Sequence, residues 1–118
     1  MTSEGFPVVV LVCSAGGLDA LSRVLGPLPA ELPAAVIALQ HMEPDRASHL
    51  ADILDERSAL PVTLAADGDR LLPGRVLVAP PGWHTLLTRE GTVALITSGG
   101  LPPYRPSADL LLLSLIHI

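Results

Sequence analysis

Residues 7–25 read Pro7-Val8-Val9-Val10-Leu11-Val12-Cys13-Ser14-Ala15-Gly16-Gly17-Leu18-Asp19-Ala20-Leu21-Ser22-Arg23-Val24-Leu25. The apolar run Val8–Cys13 has the length and β-branched content of a buried parallel strand. It stops at Ser14, and Ala15-Gly16-Gly17 lets the backbone turn sharply. Leu18, Leu21 and Leu25 then recur at helical spacing on one face. Strand, serine, glycines and helix make the build of a nucleophile elbow. A hydroxyl is presented at the carboxyl end of a strand, beside the free N–H groups of a helix start. Those donors suit an oxyanion, and glycines let a substrate approach the backbone. The same kind of turn also binds phosphate or serves as a tight corner. The dinucleotide fingerprint G-x-G-x-x-G is absent, because Val12 and Ser14 occupy its early glycine positions. At this point a nucleophilic Ser14 and a phosphate- or nucleotide-binding turn both stand.

Gly26-Pro27-Leu28-Pro29 ends the first helix. Ala34 to Leu39 is a second apolar run closed by Gln40-His41-Met42, which predicts a second buried strand after a right-handed βαβ crossover. Parallel strands point their carboxyl ends the same way. Ser14 and His41 therefore both fall just past a strand end, where open α/β sheets hold their ligands. Pro44 and Asp45 suit a helix start, and the pattern predicts a helix over 45–57 with Ala47, Leu50, Ala51 and Leu54 buried. Asp52, Asp55, Glu56 and Arg57 read as its solvated face. Pro61–Ala65 and Arg75–Ala79 read as strands separated by the turn signals Asp67-Gly68-Asp69 and Pro73-Gly74. His84–Thr88 and Thr92–Thr97 form a predicted hairpin across Arg89-Glu90-Gly91. Arg105-Pro106-Ser107-Ala108-Asp109 precedes a helix start at Leu110. Leu110–Ile118 carries no polar face and no C-cap, so a domain continuing beyond this sequence is expected.

The fold class expected is α/β: a doubly wound, mostly parallel, three-layer sheet with a β-hairpin. Its 118 residues amount to one domain or part of one. A hydrophobic content of 49% with three aromatics, Phe6, Trp83 and Tyr104, calls for an aliphatic core. A net charge of −5 without any basic cluster argues against nucleic acid. The single cysteine, Cys13, forms no internal disulfide and suits a reducing cytosol. No apolar stretch reaches the ~18–20 residues a bilayer span requires. Met1-Thr2-Ser3-Glu4 lacks the basic start of a secretory signal. A cytoplasmic protein without membrane insertion is the expectation. The four histidines show no metal-ligand spacing, so no metal or cofactor is expected.

Several segments, in this order and spacing, resemble one family. They are Ser14-Ala15-Gly16-Gly17-Leu18-Asp19-Ala20-Leu21, Gln40-His41-Met42, Ala66-Asp67-Gly68, Pro73-Gly74, Ala79-Pro80-Pro81-Gly82-Trp83-His84 and Arg105-Pro106-Ser107-Ala108-Asp109. The resemblance is to the catalytic domain of CheB-type chemotaxis protein-glutamate methylesterases and covers roughly Val8 to Ser114. It implies a serine esterase acting on γ-glutamyl methyl esters of methyl-accepting chemoreceptors, and the related deamidation of glutamines. The family's nucleophile falls on Ser14 and its general base on His41, with backbone N–H groups at Ala15 and Gly16 for the oxyanion. His84 matches a family histidine and, with Arg105, is a candidate for the cleft. Implied partners are the cytoplasmic helices of methylated receptors. A receiver domain is not matched, and Ser-Ala-Gly-Gly-Leu is closer to the branch that stands alone or is fused to a receptor methyltransferase.

The chain differs from the family pattern at Val12, where a glycine is usual, and at Ala15, where a threonine is common. No segment matches the Gly-rich turn that carries the triad's acid, and Asp109 belongs to the Arg-Pro-Ser segment instead. Losing that acid costs ~10⁴ in turnover in serine hydrolases, so the chain alone is expected to be nearly inactive. A non-catalytic receptor-interaction module is the alternative reading. Cys13 reads as a small core residue, His49 as exposed and His117 as tail; Trp83 is either a substrate platform or a loop anchor.

Overall fold

Ala35–Gln40, here β2, is the strand on which the sheet is built: Ala35 to Leu39 are all buried, at 1% exposure or less. The computed structural model describes residues 5–13, 18–40, 49–81, 83–96 and 111–112 of the chain. On one side β2 pairs in parallel with β1 (Val8–Cys13), from Val8↔Ala35 to Cys13↔Gln40. On the other it pairs in parallel with β4 (Val76–Val78), which in turn pairs with β3 (Val62–Leu64). The order is therefore β1-β2-β4-β3, with every pair parallel. All strands end toward the same edge of the layer.

Side-chain alternation divides the core in two. Val36 and Ala38 of β2 join Val62, Val76 and Val78 on one face, against α1 (Leu18–Leu25) and α2 (Leu50–Arg57). Leu21 and Leu25 of α1, and Leu50, Ala51 and Leu54 of α2, fill that layer. Ala35, Ile37, Leu39, Leu77 and Ala79 form the other face, with Leu87, Val93 and Leu111 packed on it. Burying one such aliphatic side chain fully contributes ~1.5–3 kcal/mol, so both cores are built from aliphatic residues, with Phe6 packed, partly buried, against the second. The expected α/β architecture with a mostly parallel sheet is the one observed.

Polar ties fix how the helices meet the sheet. Ser22 Oγ donates to Leu18 O at 2.8 Å and accepts from Arg57 Nη1 at 3.1 Å, which joins α1 to the end of α2. Asp55 Oδ1 accepts from Val62 N at 2.8 Å and sets the turn from α2 into β3. Asp55 and Arg57 thus have structural duties on a face that reads in sequence as merely solvated.

The chain passes from β3 to β4 without a helix, along a loop that engages the hairpin β5 (His84–Leu87) and β6 (Val93–Ile96). Gly68 N donates to Val93 O and Val93 N to Asp69 O, each at 2.7 Å, and Arg70 bridges Thr92. Asp67 Oδ1 accepts from Leu95 N at 2.8 Å. The hairpin turns as the sequence predicts. Gly91, at φ 80°, donates its N–H to Thr88 O, and Thr88 N donates to Thr92 O.

Two expectations are corrected. Val8–Cys13 is a parallel strand but not a buried one: β1 has one strand neighbour among the described residues, and Val9 and Val12 are 41% and 46% exposed. The second helix begins at Leu50 rather than 45, because the backbone of His49 (φ −103°, ψ 10°) is already outside it. Ala47 and the rest of 41–48 lie outside the described residues, as does the expected helix start at Leu110. Leu111 and Leu112 are helical.

Candidate active site

The carboxyl ends of β1 and β2 are level: Cys13 and Gln40 are register partners in adjacent parallel strands. Ser14 follows Cys13 and His41 follows Gln40 in the chain. The two predicted functional side chains are therefore each one residue beyond neighbouring strand ends that stand ~4.8 Å apart. The third neighbouring end belongs to β4, where Ala79 N donates to Ala38 O at 2.9 Å before the Pro80-Pro81 segment begins. Ser14, Ala15, Gly16, His41 and Arg105 themselves lie outside the described residues.

Cys13 lines this edge from below. Its Sγ lies 3.9 Å from Leu39 O, the thiol donating across to β2, and burial pushes its pKa up from 9.0. A thiol held neutral in this way is a poor nucleophile at pH 7. That agrees with its reading as a small residue of the strand.

His84 opens β5 two residues after Gly82 and is fully buried, as is Thr85 beside it. The His84 side chain is closed off from solvent in this structure. Trp83, directly before it, is 44% exposed. His49 is exposed, as expected. Among the described residues no group of histidine, cysteine and carboxylate side chains is placed to hold a metal ion.

One residue of this edge carried no role in the sequence reading beyond its membership of a motif. Gln40 Oε1 is buried and has no hydrogen-bond partner among the described residues. The signal was present in the sequence: a neutral amide closes a strand that is otherwise wholly apolar.

A family model described as CheB methylesterase matches residues 9–118. A protein-glutamate methylesterase/protein-glutamine glutaminase of Symbiobacterium thermophilum is 41% identical over 111 residues, covering 94% of this chain and 31% of that protein. Its namesake from Moorella thermoacetica is 43% identical over 114 residues, covering 93% of this chain and 27% of the relative. The catalytic domain of the Thermotoga maritima CheB methylesterase superposes with a TM-score of 0.88 at 32% identity, over 97% of this chain and 62% of that domain. The chain thus spans about a third of the length of these curated relatives. No helix among the described residues is long and apolar enough to cross a membrane.

Proposed function

The chain belongs to the CheB methylesterase family, and on that premise we propose that it carries the nucleophile and base of a serine esterase that hydrolyses γ-glutamyl methyl esters on chemoreceptors. The observation that supports this most is the Cys13↔Gln40 register, which brings the exits toward Ser14 and His41 to adjacent strand ends. His41 takes the Ser14 proton as Oγ attacks the ester carbonyl. The oxygen of the tetrahedral intermediate rests on the N–H groups of Ala15 and Gly16. His41 returns the proton to the leaving methoxide, and methanol departs from an acyl-Ser14. Water, deprotonated by His41, then attacks the acyl group, and the glutamate carboxylate and Ser14 hydroxyl are restored. A glutamine side chain follows the same path with ammonia as leaving group, the second activity in the names of the relatives. No step requires a cofactor.

The partners in this reading are the methylated cytoplasmic helices of receptors, which places the protein in the cytoplasm, and Arg105 is a candidate for pairing with receptor carboxylates. The third triad member has no assigned residue here, so turnover by these 118 residues is slow. The experiment is methanol release from methylated receptor fragments by the unchanged chain, Ser14→Ala and His41→Ala. A slow rate that both substitutions abolish is expected. Equal rates for the unchanged chain and Ser14→Ala overturn the reading and leave the receptor-interaction module in its place.

A further inference from the structure

The open end of the hairpin is held at the carboxyl edge of the sheet. Ala65 N donates to Val78 O at 2.8 Å, which levels the ends of β3 and β4. Two residues past Ala65, Asp67 Oδ1 accepts from Leu95 N at 2.8 Å. That bond moors the end of the hairpin where His84 pairs with Ile96. From the other side, β4 delivers the chain to the same place through Pro80 and Pro81, just after Ala79 N has donated to Ala38 O at 2.9 Å. Trp83 directly precedes His84. It therefore stands at the carboxyl edge, one strand along from the outlet of β2.

Exposure at this point belongs to Trp83 alone. His84 and Thr85, which follow it, are fully buried, while Trp83 is open to solvent. A tryptophan that only anchored a loop would be covered, because burial of the ring is what would hold the loop down. A large, stiff ring next to firmly packed neighbours loses little freedom on binding, and tryptophan is among the residues that dominate interface energies.

The width of the substrate says what covers it. A helix with its side chains is ~10–12 Å across, and the ends of β1, β2 and β4 follow one another at ~4.8 Å. A receptor helix that presents a glutamyl ester over the ends of β1 and β2 thus extends to the outlet of β4, within reach of the Trp83 side chain.

Resting on the esterase reading above, we propose that Trp83 is a substrate-binding residue whose indole packs against the receptor helix beside the glutamyl ester. The ring takes up aliphatic carbons of the helix surface, the methylene stems of its long polar side chains included. Open α/β sheets bind their ligands at this edge, and Trp83 gives it an apolar contact that strengthens binding without entering the acyl-transfer steps.

Trp83 is the only tryptophan of the chain, so intrinsic fluorescence reports on it alone. The Ser14→Ala chain, which does not turn over, is titrated with a methylated receptor cytoplasmic fragment, and binding is followed by the anisotropy of a dye on the fragment. Binding is expected to shift the tryptophan emission to the blue and to protect it from acrylamide quenching. In methanol release by the chain with Ser14 intact, Trp83→Ala is expected to raise KM about tenfold and to leave kcat unchanged. Trp83→Phe, which keeps an aromatic face, recovers most of the loss. Val24→Ala, at a similarly exposed apolar residue on α1, leaves KM where it was.

Bound fragment with unshifted emission, or a KM unmoved by Trp83→Ala, overturns the proposal. A lower denaturation midpoint for Trp83→Ala with KM unmoved overturns it in favour of loop anchoring. Ser14-dependent methanol release with unshifted emission overturns the Trp83 contact and supports the esterase. A blue shift on binding without Ser14-dependent release overturns the esterase reading and supports the contact. A fragment that does not bind overturns both.

Discussion

Cys13 and Gln40 are register partners at the carboxyl ends of two adjacent parallel strands, and each is the last described residue before a side chain proposed for catalysis. A one-residue slip between β1 and β2 would separate those side chains by a further ~3.3 Å and reverse the faces of one strand.

Burial raises the Cys13 pKa above 9.0, and the consequence for stability has a definite sign. Below about 9 both the folded and the unfolded chain hold the proton. Between that value and the folded pKa only the unfolded chain releases it, so stability falls as pH rises. All seven basic residues are arginines, which leaves few other groups to titrate there. Urea denaturation from pH 8 to 10.5 is expected to show the decline, and Cys13→Ala to flatten it.

Leu54 lies fully buried on α2 against the helix-side core. Leu54→Ala is expected to lower the unfolding free energy by ~2–5 kcal/mol through lost burial and the cavity left behind. Glu56→Ala, on the exposed side of the same helix, is expected to stay within about 0.5 kcal/mol. Chemical denaturation of the two variants side by side checks both values.

Gly26 follows α1 where the ends of the two helices meet. A Cβ there would stand 3.0 Å from Ser22 O and 3.5 Å from Arg57 O, both main-chain atoms. Gly26→Ala must therefore shift the last turn of α1 by a few tenths of an ångström to clear Ser22 O, the distance to Arg57 O being an ordinary contact, at a cost of ~1 kcal/mol. A lowered denaturation midpoint with an unchanged slope is the expected result.

Asp67 fastens the β3–β4 loop to the hairpin through Leu95 N. Asp67→Ala removes that acceptor and is expected to cost ~1 kcal/mol, with faster exchange of the Leu95 amide. Asp67→Asn keeps Oδ1 in place and is expected to protect Leu95 nearly as well. Exchange measured on both variants separates the hydrogen bond from the charge.

The chain's own residues determined much of this protein. Val8–Cys13, Ala35–Gln40, the Leu18/Leu21/Leu25 stripe and the Gly91 hairpin turn are legible because each follows from local periodicity and backbone freedom. Such preferences act over a few residues and need no partner. The segments around Ser14 and His41 carry the family resemblance in the same local way, by residue type and order.

Tertiary structure alone decided what depends on distant neighbours. An apolar run does not reveal which strands flank it, so the exposure of Val9 and Val12 became visible only once β1 was placed beside β2 alone among the described residues. The full burial of His84 at the start of β5 is likewise absent from the sequence pattern. The shared level of Cys13 and Gln40, 27 positions apart in the chain, arises from interstrand hydrogen bonding. Burial and register are properties of pairs of segments, and a single segment does not carry them.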